Sequence, residues 1–141
     1  MHPVLTDEKV IQVRFSETDP MGVVWHGNYV RYFEDGRESF GVRHDISYLH
    51  FYENKLLAPI VKLSSDYKRP LRYGDSAIIE TKYIYTESAK LIFDYRILSL
   101  ATKDVVATGR STQVFTDDAG KLFLTRPPFY EKWLIAHGFE G

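Results

Sequence analysis

The spacing of apolar positions switches between a strand period and a helical period along this chain. Val10 to Phe15 alternates first. Ile11, Val13 and Phe15 fall on one face and Val10, Gln12 and Arg14 on the other, which predicts a strand. From Gly27 to His44, Tyr29, Tyr32, Phe33, Gly36 and Phe40 recur at intervals of three and four, the stripe of a long helix. Gly36 weakens that helix by about 1 kcal/mol relative to Ala, but lets another backbone come close. Asn28 or Gly27 is placed to cap its start. Asp45–Asn54 predicts a short second helix with Ile46, Leu49 and Phe51 or Tyr52 on its apolar side.

After that the period is two. Pro59–Tyr67 puts Val61, Leu63, Ser65 and Tyr67 on one face. Ala77–Thr86, Lys90–Leu100 and Val105–Thr116 predict long strands joined at hairpin length by Thr86–Ala89 and Ala101–Asp104. Arg126-Pro127-Pro128 opens a last helix over Phe129–Ala136, since Pro suits a first helical turn. Consecutive strands with short turns predict an antiparallel meander in an α+β domain. Ile78, Ile79 and Ile84 beside Tyr83 and Tyr85 make strands apolar on both faces. One long helix cannot cover both, so a second subunit is expected to cover the other.

Composition narrows the chemistry. The 141 residues suit one domain, 1–141. A net charge of −1 offers nothing to nucleic acid or an anionic membrane, although local basic clusters could hold a phosphorylated ligand. No cysteine is present, which removes disulfides, thiolate metal sites and Cys nucleophiles. Residues 1–8 lack the regions of a signal peptide, and no run reaches the roughly 18 to 20 apolar residues of a membrane span. A soluble cytoplasmic protein is expected. The histidines show no His-Glu-x-x-His spacing, and no Gly-x-Ser-x-Gly elbow, phosphate loop or dinucleotide fingerprint occurs. No metal or cofactor is expected.

The chemistry concentrates in Glu17–Tyr29. Asp19-Pro20 marks a turn, and Gly22 tolerates unusual backbone angles. The long helix follows at once. A carboxylate beside a helix start pairs a base or nucleophile with unpaired N–H groups and a positive dipole end, the parts of a site that cleaves a thioester or ester. An Asp before Pro is equally a common turn residue. His26 can hydrogen-bond locally at the helix start. Glu34, on the helix, is a rival carboxylate and otherwise a solvated or ion-paired residue. Lys90, Lys68, Arg69 and Arg72 are candidates for phosphate contacts, or simply soluble turn and edge residues.

Asp19-Pro20-Met21-Gly22-Val23-Val24-Trp25-His26-Gly27-Asn28-Tyr29, after a strand and before an aromatic helix, closely resembles the signature of the 4-hydroxybenzoyl-CoA thioesterase-like family. Pro59-Ile60-Val61, Gly74-Asp75 and Glu87–Lys90 fall where that family has similar features. The resemblance implies a hotdog fold, a curved antiparallel sheet wrapped around one long helix. It implies hydrolysis of acyl-CoA without a cofactor. Asp19 matches the family's nucleophile or general base, and the first backbone N–H of the helix near His26 matches the oxyanion donor. The His26 side chain stands where relatives carry His or Tyr, and the resemblance implies a catalytic role for it, to assist or orient. Lys90 matches a contact to coenzyme A phosphates, and Arg69, from the local basic cluster, is the further candidate for them. Homodimers or homotetramers with sites at subunit interfaces are implied. A hotdog hydratase or dehydratase, and a non-catalytic acyl-CoA-binding module, are the alternatives.

Overall fold

The computed structural model describes residues 2–139. In chain order the elements are β1 (Thr6–Gln12), α1 (Tyr29–Arg43), α2 (Tyr48–Glu53), β2 (Leu56–Leu57), β3 (Ile60–Tyr67), β4 (Ser76–Ile84), β5 (Lys90–Ser99), β6 (Val105–Val114), β7 (Thr116–Asp117) and α3 (Pro128–Ala136). Two 3-10 turns, Phe15–Glu17 and His26–Asn28, lie between β1 and α1. Five strands form one antiparallel sheet in the order β1-β4-β5-β6-β3, and β2 pairs with β7 apart from it.

The expected stripe on α1 is the buried one: Tyr29, Tyr32, Phe33, Gly36 and Phe40 all face the sheet. Gly36 is where the helix comes nearest. A Cβ there would stand 2.6 Å from both Ile79 Cγ2 and Thr81 Oγ1 on β4. The inner face of the sheet is shared between α1 and α3, because Tyr130, Trp133 and Leu134 also bury against it and Tyr83 hydrogen-bonds Tyr130. Burial pushes the Tyr83 phenol up to about 12.

Several boundaries differ from the sequence expectation, each for a non-local reason. The first strand is Thr6–Gln12 and not Val10–Phe15. Its register on β4 sets Asp7 opposite Thr81, and Asp7 is buried because Arg43 of α1 reaches it at 3.2 Å. Phe15 has left the sheet and is exposed. On β3 a register shift between Ile60 and Lys62 leaves Val61 out of step, so Ile60, not Val61, joins Leu63, Ser65 and Tyr67 on the inner face. On α2 Phe51 is buried, whereas Leu49 and Tyr52 are exposed. Asn28 caps nothing; its side chain donates 2.8 Å to the Glu17 carbonyl.

The outer face meets much of its own need. Arg96 pairs with Glu80 at 2.8 Å and Arg110 with Asp94 at 2.5 Å across neighbouring strands, with Ile78, Ile84 and Ile92 half-buried around them. Edge strand β3 is uncovered on both sides, with Ile60, Leu63 and Tyr67 of its inner row and the out-of-step Val61 all exposed. Among the described residues no helix is long and apolar enough to cross a membrane.

Candidate active site

Asp19 opens a tight turn. Gly22 N donates to the Asp19 carbonyl at 2.9 Å and Asp19 N to the Val23 carbonyl at 2.8 Å, closing a hairpin-type loop over Pro20 and Met21. Gly22 ends it at φ +81°, a conformation that L side chains rarely adopt. The Asp19 carboxylate is half-buried, and its Oδ1 accepts the Met21 N–H at 2.8 Å. No cation lies within ion-pair distance of it among the described residues. The turn role and a chemical role are therefore compatible, since one hydrogen bond aims the group without neutralising it.

Glu17 carries the rest of the loop, and the sequence reading assigned it no role. Its Oε1 accepts from Arg14 N at 2.8 Å and from the Tyr32 hydroxyl at 2.9 Å. Its carbonyl accepts from Trp25 N at 3.0 Å and from Asn28 Nδ2 at 2.8 Å. Burial, with Glu17 beside it, raises the Tyr32 phenol well above its ordinary range, so Tyr32 remains a donor. The one available signal was position: Glu17 sits at the head of the motif.

These bonds decide which amides are left free at the helix start. Trp25 N is satisfied by Glu17, and Asn28 N by the Trp25 carbonyl at 2.9 Å. The N–H groups of His26 and Gly27 have no backbone acceptor among the described residues. Two free donors at the positive end of a 15-residue helix, in the loop that also holds a carboxylate, can polarise a carbonyl and stabilise an oxyanion.

The His26 side chain is exposed, 4.9 Å from the Trp25 ring and 6.2 Å from the Tyr67 ring. It lines a cavity of about 280 Å³ with Val24, Tyr29, Tyr67 and Arg69. Arg69 thus joins the helix start, with its guanidinium 3.6 Å from Asp104. Asp19 and His26 share the loop, but no hydrogen bond joins their side chains among the described residues. Lys90 is elsewhere. It starts β5 opposite Val114, while Tyr67 lies opposite Ala107, so the two sheet ends are about 23 Å apart along the strands. Glu34 is exposed and borders a separate cavity of about 250 Å³ with Arg37, Phe51 and Gln113.

The family model of the thioesterase-like superfamily matches residues 13–134. The chain is 34% identical over 94 residues to the putative acyl-CoA thioesterase YneP of Bacillus subtilis, covering 67% of this chain and 68% of that one. It is 27% identical over 89 residues to the acyl-CoA thioester hydrolase YbgC of Escherichia coli, covering 63% and 66%. The DHNA-CoA thioesterase of Staphylococcus aureus superposes with a TM-score of 0.81 at 23% identity, covering 93% of this chain and 89% of that one.

Proposed function

The chain belongs to the thioesterase-like superfamily and has its hotdog fold, and from that premise we propose how it cleaves an acyl-CoA thioester. The enzyme is an acyl-CoA thioester hydrolase, in keeping with the names of its relatives. The thioester carbonyl oxygen is received by the free N–H groups of His26 and Gly27. Asp19 drives attack on the carbonyl carbon, either by taking a proton from water or by adding to the carbon itself. The tetrahedral oxyanion draws on donors already in place, each worth about 2.7–4 kcal/mol in such sites. Collapse breaks the carbon–sulfur bond. If Asp19 has taken the proton of the attacking water, it returns that proton to the coenzyme A thiolate and the acyl group leaves as the acid, which ionises. If Asp19 has added to the carbon, the thiolate leaves first and a water molecule then hydrolyses the Asp19–acyl anhydride, freeing the acyl carboxylate and supplying the proton of the thiol. His26 orients or assists at the cavity wall, and Arg69 faces the phosphates.

A second copy completes this site. The exposed row on β3 and its unpaired backbone suit antiparallel pairing with the same strand of another protomer. Such pairing brings the Tyr67 end of one sheet to the Ile60 end of the other. It therefore brings His26 and Arg69 near the end that carries the other copy's Lys90. That resolves how two basic residues at opposite ends of one sheet can serve one coenzyme.

The observation that carries the reading is the pair of free N–H groups in the loop of an unneutralised carboxylate. Thiol release from a panel of acyl-CoAs, with wild type and Asp19→Asn side by side, tests it. Turnover should fall about 10²–10⁴-fold in the variant. Unchanged turnover would remove Asp19 from the mechanism. Hydration of an enoyl-CoA without thiol release would identify a hydratase, and intact bound ligand a binding module.

A further inference from the structure

Trp25 is not a core tryptophan. Its side chain is half in water, at 52% exposure, whereas the other tryptophan, Trp133, is buried and donates its indole N–H to the His44 carbonyl at 2.6 Å. Trp25 is nonetheless held firmly. Its backbone N–H and carbonyl are both engaged, with Glu17 and Asn28, as described above. Its six-membered ring lies against Gly27, where a Cβ would collide with Cζ3, Cη2 and Cε3. The ring meets the His26 imidazole at 4.9 Å and 45°. Gly27 is thus a glycine because the indole takes the place of its side chain.

We propose that Trp25 is a positioning residue of the hydrolytic site: its indole, seated on Gly27, is the wall that keeps water from the free His26 and Gly27 N–H groups and sets the His26 ring. The proposal rests on the hydrolase reading above. Donors aimed at an oxyanion act more strongly where water is excluded, and the indole is the group that lies against Gly27. The effect belongs to the transition state, where charge sits on the oxygen, and not to the capture of substrate.

Two single variants should therefore do the same damage. Trp25→Ala removes the wall, and Gly27→Ala evicts it. Steady-state thiol release by the full chain, on the best acyl-CoA of the panel, should show kcat lower by about tenfold in each, with KM within about twofold. Trp25→Phe should recover most of kcat. The double variant should be no slower than the slower single one, because the second change removes nothing further. Emission of the Trp25 variants reports Trp133 alone and should stay that of a buried indole, which shows the fold intact. Wild-type kcat in Trp25→Ala would overturn the proposal. So would multiplying losses in the double variant, which would assign Gly27 to the ligand itself. If wild type binds acyl-CoA and releases no thiol, the hydrolase reading falls first, and that failure is visible before any variant is made.

Discussion

Gly36→Ala tests how closely the long helix is seated on the sheet. On an exposed helix this change stabilises by about 1 kcal/mol. Here the added methyl stands 2.6 Å from Ile79 Cγ2 and Thr81 Oγ1, about 1 Å inside normal contact with each. Neither neighbour can turn away. Both are fully buried, both are β-branched, and both belong to the same paired strand. The helix must lift, and Tyr32, Phe33 and Phe40 lift with it. Overpacking costs about 1–3 kcal/mol, and a clash with two stiff neighbours belongs in the upper half. Less the propensity gain, the net loss is about 1–2 kcal/mol. Urea unfolding at fixed protein concentration reads it directly. With a slope near 2 kcal/mol per molar, the midpoint should fall by roughly 0.5–1 M. A rise in midpoint would refute the reasoning, because it would mean that the helix has room to spare. Thr81→Ala should recover part of the loss, since it deletes one of the two opposing atoms.

Two further outcomes are expected. Leu63→Lys places a charge in the exposed row of β3 and should lower both the mass by light scattering and thiol release, although no residue of the Glu17–Tyr29 loop is altered. Unchanged mass with full activity would dissociate that edge from the site. Desolvation holds the Asp35 carboxyl above its ordinary range, with Glu17 and Glu34 adding to the effect and Lys9 and Arg14 opposing it. The folded protein then binds that proton more tightly than the unfolded chain, so the ionised form costs stability at neutral pH and the cost fades as pH falls through the raised value. Asp35→Asn should be slightly more stable than wild type near neutrality, by no more than about 0.5 kcal/mol at so exposed a position, and level with it in acid. A gain that grows on acidification would reverse the assignment.

What the sequence determined by itself was whatever has a short period. The stripe from Tyr29 to Phe40, the alternation of β4 to β6 and the Asp19–Gly22 turn depend on neighbours a few residues away, and each is found where its pattern lies. Only the tertiary structure decided what depends on partners far along the chain. Asp7 enters the first strand because Arg43 meets it. Val61 falls out of step because β6 sets the register. The Glu17 carbonyl accepts the Trp25 amide and the Asn28 side chain, and the Trp25 carbonyl takes the Asn28 amide, which leaves the amides of His26 and Gly27 without a backbone acceptor among the described residues. The placement of Arg69 and Lys90 at opposite ends of one sheet is likewise invisible in their spacing. A hydrophobic period is a local property, read along one dimension. Register, and the choice of which N–H group goes unpaired, are set by hydrogen bonds that close only when distant segments meet.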